Sequence, residues 1–173
     1  YYLSLFDFSR SDRKYDYQVR SQVIPPMHYV TLMKEHRKER SYYFDFMGEH
    51  DTSPKELITR RYPMISILKP YDTCPQICVY CQRNWEITGP MMPEGMVSKE
   101  ALDKALDWFS KHISMRDVLV TGGDPLALDD DRIKYIMDRL SQMEHVVNIR
   151  WGTRTPVTVP MRITDKLAKL IGR

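Results

Sequence analysis

Asp117-Val118-Leu119-Val120-Thr121-Gly122-Gly123-Asp124-Pro125 opens as a short apolar run and closes as a turn. Val118, Leu119 and Val120 read as a buried strand. Two glycines and an Asp-Pro pair then end it. The sequence on either side is helical. Upstream, Ser98 is an N-cap for a helix with Leu102, Ala105, Leu106, Phe109 and Ile113 on one face. Downstream, Asp129 caps a second helix with Ile133, Ile136, Met137, Leu140 and Met143 along one stripe.

The same unit recurs on both sides. Met64-Ile65-Ser66-Ile67-Leu68 reads as a buried strand, followed by a long loop over residues 69–97. Val146-Val147-Asn148-Ile149-Arg150-Trp151 reads as a third strand, followed by a loop over residues 152–160. Thr164 then caps a helix carrying Leu167, Leu170 and Ile171. Strands alternating with helices predict parallel βα units. Right-handed crossovers place all the strand C-termini at one end, where such folds bind ligands. The expected fold is α/β: the N-terminal half of a partial parallel (β/α) barrel. It occupies residues 61–173, truncated after its first three βα units. A full barrel takes about 250 residues.

Residues 1–60 read as an aromatic-rich N-terminal extension. Residues 1–46 hold 11 of the 19 aromatic side chains, which suits internal packing or a binding surface. Pro25-Pro26 breaks the segment, and Met27, Val30 and Met33 then recur at helical spacing. Lys34-Glu35-His36-Arg37-Lys38-Glu39-Arg40 reads as a solvated helix end.

Composition narrows the classes. The 173 residues are 42% hydrophobic and 28% charged, which excludes a disordered chain. No apolar run reaches the roughly 18 residues of a spanning helix, so no membrane is expected. The opening residues carry no basic, then apolar, leader pattern. Tyr1 in place of a Met, and an end soon after a helix-like start, predict a piece of a longer protein. The net charge of +3 falls within the first 40 residues, and the body balances, so no nucleic-acid footprint is expected. Cys74, Cys78 and Cys81 are odd in number and clustered, which predicts a reducing, cytoplasmic compartment.

The cysteines carry the chemistry. Their spacing is Cys74-x3-Cys78-x2-Cys81, on the loop after the first expected strand. Thiolates are soft ligands for iron or zinc. Three on one loop can hold three corners of a [4Fe–4S] cubane and leave the fourth iron open to a small chelating ligand. Zinc is the rival, and it needs a fourth ligand. His28, His36, His50, His112 and His145 all lie more than 20 residues from the motif, so one would have to fold in.

This motif, with Tyr80 just before the last cysteine, resembles the radical S-adenosylmethionine (SAM) superfamily. Residues 117–125 are similar to the strand-and-glycine motif of the lysine 2,3-aminomutase family. So are Gly152-Thr153-Arg154-Thr155-Pro156-Val157 and Pro160-Met161-Arg162-Ile163-Thr164. The three motifs keep the family order, and the match covers residues 62–173. Residues 1–60 carry no such match.

The resemblance implies that Cys74, Cys78 and Cys81 bind a [4Fe–4S] cluster. SAM chelates its open iron, and one electron cleaves the sulfonium to a 5′-deoxyadenosyl radical. That radical takes hydrogen from an amino-acid substrate for a 1,2-amino shift. An electron donor of flavodoxin or ferredoxin type follows from this, and a homo-oligomer is compatible with it. Gly122, Gly123 and Asp124 would meet the methionine amino group: glycines allow close approach and a carboxylate complements an ammonium. Tyr80 would lie beside the adenine, or simply pack. Thr153 and Arg154 would line the cofactor pocket, or form a surface turn. Arg83 would hold the substrate carboxylate with its guanidinium fork; the other readings are a surface charge or a cation beside the cluster. Aminomutases also use pyridoxal phosphate (PLP) on a lysine that the family places beyond residue 173.

The chain departs from the family in three places. Gln82-Arg83-Asn84-Trp85 stands where consecutive arginines are usual, Tyr80 where a histidine is usual, and the Pro75-Gln76-Ile77 spacer differs. These departures bear on lysine as substrate and on PLP. Two further readings therefore stand beside the aminomutase: a radical SAM enzyme with another substrate and no PLP, and a non-catalytic zinc or iron–sulfur binding module.

Overall fold

The computed structural model describes residues 1–12, 14–38, 45–87 and 89–172. Four strands form its sheet: β1 (Ile58–Thr59), β2 (Ile65–Tyr71), β3 (Asp117–Gly122) and β4 (Asn148–Trp151), in that spatial order. β2, β3 and β4 run parallel, with Leu68 opposite Val120 and Val120 opposite Trp151. β1 pairs antiparallel with β2. This short edge strand is absent from the sequence reading and lies within the residues assigned there to the extension. The helices are α1 (Tyr17–Ser21), α2 (Met27–Glu35), α3 (Lys99–Lys111), α4 (Asp130–Ser141), α5 (Thr155–Thr158) and α6 (Asp165–Ile171). The architecture is mixed α/β, that of a partial (β/α) barrel.

The three expected caps form. Ser98 Oγ accepts from Ala101 N at 3.0 Å, Asp129 Oδ1 from Arg132 N at 2.7 Å, and Thr164 Oγ1 from Leu167 N at 3.2 Å. Each such cap is worth about 1 kcal/mol. One core follows from period-two alternation in the strands and the apolar stripes of the helices. Leu68 of β2, and Val118 and Val120 of β3, are buried with Leu102, Leu106 and Phe109 of α3 and Ile133 and Ile136 of α4 in one cluster, and Ser66 of β2 is buried beside Met115. Burying each large apolar side chain contributes about 1.5–3 kcal/mol.

Several expectations need correction. α3 stops at Lys111, so Ile113 leaves the apolar stripe and is 75% exposed. Strand β4 begins at Asn148, with Val147 exposed before it. The expected loop over residues 152–160 contains α5, started by Pro156 within its first turn. In the extension, Phe6 packs beneath the Arg20 guanidinium, 4.7 Å from its ring, while Phe8, Tyr15, Tyr17 and Phe46 stay exposed. Lys34, Glu35, Arg37 and Lys38 are exposed, as a solvated helix end should be. Tyr42, Tyr43, Phe44 and the last two residues of that charged run lie outside the described residues. Among the described residues no helix is long and apolar enough to cross a membrane.

The sheet bends where the chemistry is expected. Between Leu68 and Tyr71 the pairing with β3 shifts register, because Tyr71 faces Gly122 while Leu68 faces Val120. Pro70, which cannot donate to a ladder, falls inside this irregularity. Beyond it the two backbones come very close. Gly123 N donates to Tyr71 O at 2.6 Å and Asp124 N to Thr73 O at 2.9 Å. A Cβ on Gly123 would lie 2.1 Å from Thr73 O. Gly122 has φ of +114°, a backbone region that side chains disfavour. Gly123→Ala should therefore cost at least about 3 kcal/mol, from overpacking against main chain that cannot retreat. Gly89→Ala, whose added carbon meets only the flexible Met92 side chain, should cost less than about 1 kcal/mol. Urea midpoints measure both, and equal midpoints would contradict this account.

Candidate functional site

The loop after β2 carries all three cysteines, each half-buried and none in a disulfide. Thr73 anchors its first part. This side chain is fully buried, donates to Gly89 O at 2.7 Å and accepts from Met92 N at 3.1 Å. Met91 N in turn donates to Cys74 O at 3.0 Å. The loop is thus folded back on itself and tied to the glycine turn at the end of β3.

Asp124 ties that turn to the loop after β4. Its Oδ1 accepts from the Thr153 hydroxyl and, at 3.2 Å, from Leu126 N. Its Oδ2 accepts from Arg154 N at 2.8 Å. The carboxylate is buried, and three of its roughly four acceptor positions are taken. With three protein donors the buried carboxylate cross-links the β3 turn to the loop after β4. The sequence reading missed this because two of the donors lie about 30 residues away.

Arg154 completes the arc. Its Nη1 donates to Cys78 Sγ and its Nη2 donates to Gln22 Oε1 at 2.6 Å. Burial opposes its charge, but Cys78, with smaller help from Tyr80 and Tyr2, raises its pKa above that of an ordinary arginine. The guanidinium carbon also lies 5.6 Å from the centre of the Tyr80 ring. Tyr80 itself is 64% exposed, so it does not serve as core packing. Burial pushes the Cys74 thiol up to about 12, helped by Asp124 and by the other two cysteines, and burial likewise raises Cys81.

Arg83 lies on the cysteine loop, two residues after Cys81. It is only 4% exposed, and both arms of its fork are occupied. Glu49 Oε1 accepts from Nη2 at 2.9 Å, while Glu49 Oε2 lies 2.5 Å from Nη1. Glu86 Oε2 stands 3.1 Å from Nη1, and its other oxygen accepts from Lys69 Nζ. Glu86 was legible as an i+3 neighbour of Arg83. Glu49, 34 residues upstream, left no local signal. Beside this network a cavity of about 410 Å³ is lined by His50, Leu57, Lys69, Asp72, Trp85 and Glu86. Burial and the Glu86 charge push the Asp72 carboxyl up to about 6.

The donor set can be tested against a metal group. Among the described residues no three or more His, Cys, Asp or Glu side chains converge on a single-ion position. A tetrahedral zinc, with Zn–S bonds of about 2.3 Å, needs that convergence. A cubane asks for less, because each thiolate takes a different iron. Three thiols on one loop, with a guanidinium on one sulfur and a glycine turn alongside, fit an iron–sulfur cluster.

The chain matches the Radical SAM superfamily model over residues 68–172 and belongs to that superfamily. Membership implies a [4Fe–4S] cluster, SAM and a source of electrons. Among curated proteins it is 55% identical over 172 residues to an uncharacterized KamA family protein of Methanocaldococcus jannaschii, covering 99% of this chain and 27% of that protein. It is 40% identical over 127 residues to the glutamate 2,3-aminomutase of Clostridioides difficile, covering 73% of this chain and 29% of the enzyme. It is 34% identical over 171 residues to the L-lysine 2,3-aminomutase of Fusobacterium nucleatum, covering 99% and 37%. The chain thus spans about a quarter to two fifths of these relatives' lengths.

The Arg83 network gives a direct prediction. Arg83→Met strands Glu49 as a buried carboxylate without its cation, leaves the half-buried Glu86 to Lys69 alone, and should cost about 3–5 kcal/mol. Adding Glu49→Leu should recover part of that loss. Urea unfolding of the two variants measures it. An Arg83→Met protein as stable as wild type would show that the network contributes nothing.

Proposed function

We propose that this chain is the cluster- and SAM-binding part of a radical SAM enzyme of aminomutase type. Its reaction would be a 1,2-amino shift on an amino acid. The observation that carries this reading is the meeting, at one end of the parallel sheet, of the cysteine loop, the Gly122-Gly123-Asp124 turn and Thr153-Arg154. Cys74, Cys78 and Cys81 would hold the cluster. When bound and reduced, the cluster supplies the electron that cleaves the SAM sulfonium and starts radical chemistry on the substrate. Gly122 and Gly123 let the turn pack directly on the main chain of residues 69–73 and so hold it beside the cysteine loop. Asp124 acts at one remove, by fixing Thr153 and Arg154. Tyr80 offers an exposed aromatic face to the adenine beside the Arg154 guanidinium. Arg154 places a positive charge on the sulfur side of the loop. An acidic electron carrier of flavodoxin or ferredoxin type fits the demand for single electrons.

A second reading is favoured by Arg83. Its guanidinium is engaged by Glu49 and Glu86, so the grip on an amino-acid carboxylate is already filled. That favours a radical SAM enzyme whose substrate is not held by this arginine; absence of PLP is the companion of this reading and is tested below.

Anaerobic reconstitution of the full-length protein with iron and sulfide should give about four irons per chain and a brown [4Fe–4S] absorption. Ala at Cys74, Cys78 or Cys81 should abolish it. With reductant and SAM the reconstituted protein should release 5′-deoxyadenosine. Lysine or glutamate should then turn over to the 3-amino isomer with PLP present, and fail to do so under the second reading. A loaded cluster that never cleaves SAM would overturn both. One air-stable, colourless zinc per chain would instead identify a binding module.

A further inference from the structure

The N-terminal extension reaches the cysteine loop through Gln22, the residue that follows α1. Gln22 O accepts from Val79 N at 2.8 Å. Its side-chain Oε1 accepts from Arg154 Nη2 at 2.6 Å and from the Tyr80 hydroxyl at 3.4 Å. The other arm of the same guanidinium, Nη1, donates to Cys78 Sγ. A guanidinium is a planar, rigid fork. Holding Nη2 therefore fixes where Nη1 points. A residue outside every motif of the sequence thus controls the one cation bonded to a cysteine sulfur among the described residues.

Resting on the reading that the three cysteines hold a [4Fe–4S] cluster, we propose that Gln22 is a positioning residue for its reduction potential. It keeps the Arg154 guanidinium on Cys78 Sγ. Reduction adds one electron, and so one negative charge, to the cluster. A cation and an N–H donor at a ligand sulfur stabilise that added charge, and cluster potentials follow hydrogen bonds to sulfur and nearby net charge. Gln22 touches neither cluster nor substrate, so its effect passes through Arg154. The extension is thereby part of the cluster's electrostatic surroundings and not a passive appendage.

The test uses Gln22→Leu, which is one heavy atom smaller and has no acceptor. The Val79 N to Gln22 O bond is main chain and survives the change. In the reconstituted full-length protein, an EPR-monitored redox titration reads the midpoint potential. Gln22→Leu should lower it by a two- to tenfold change in the reduced-to-oxidised ratio, the upper end being about 59 mV for one electron. Iron content and thermal midpoint should match wild type. Arg154→Lys keeps the charge but loses the fork, and should also lower the potential. Adding Gln22→Leu to Arg154→Lys should produce no further shift. Ser21→Ala, one residue away and exposed, should change nothing. A fully loaded Gln22→Leu protein with the wild-type midpoint would overturn the inference alone. So would an undiminished further shift in the Arg154→Lys background. A wild-type protein that takes up no iron would overturn the cluster reading, and this inference with it.

Discussion

The parallel ladder between β2 and β3 does not stop where the strands stop. The amides of Gly123 and Asp124 continue it into the cysteine loop, onto Tyr71 O and Thr73 O. That continuation is possible only because residue 123 has no side chain, since any Cβ would collide with the Thr73 main chain. Everything at the strand ends depends on this zipper. It fixes the loop at the residue just before Cys74, and it delivers Asp124 to the point from which it can hold the β4 loop. Polar main chain that would otherwise be left unpaired is satisfied in the process.

Two ionic hubs flank the cysteine loop, and they differ in kind. Asp124 gathers neutral donors, a hydroxyl and two backbone amides, from two successive post-strand loops. Arg83 gathers charges: Glu49 and Glu86 directly, and Lys69 through Glu86. The first hub is local to the barrel mouth. The second draws in residue 49 and so fastens the segment before β1 to the far side of the loop. Buried ion networks of this type are costly to break even where they add little net stability.

Much of this was legible in the sequence. The three β-strands of the parallel ladder, the caps at Ser98, Asp129 and Thr164, and the order of the three post-strand loops all follow from local pattern. Ile113 misled because it continues the apolar spacing one turn beyond Phe109, although the helix ends at Lys111 with His112 as its C-cap. α5 was hidden by Pro156 and Pro160, which read as loop markers although Pro is well suited to a first turn. β1 has two residues and no pattern of its own; it exists because β2 offers it an edge. The partners of Arg83, Asp124 and Arg154 were out of reach for another reason. Gln22 and Arg154 stand 132 residues apart, and no periodicity announces a contact at that range.

That separation also orders events in time. Cys78 and Arg154 are 76 residues apart along the chain. At a synthesis rate of about 5–20 residues per second, the cysteine loop waits roughly 4–15 s on the ribosome before its guanidinium partner is made. During that interval the thiols have neither their cation nor the Asp124 cross-link to the β4 loop. If these thiols hold the proposed cluster, iron delivered early would meet an unfinished cradle, and the topology favours loading after this region is complete.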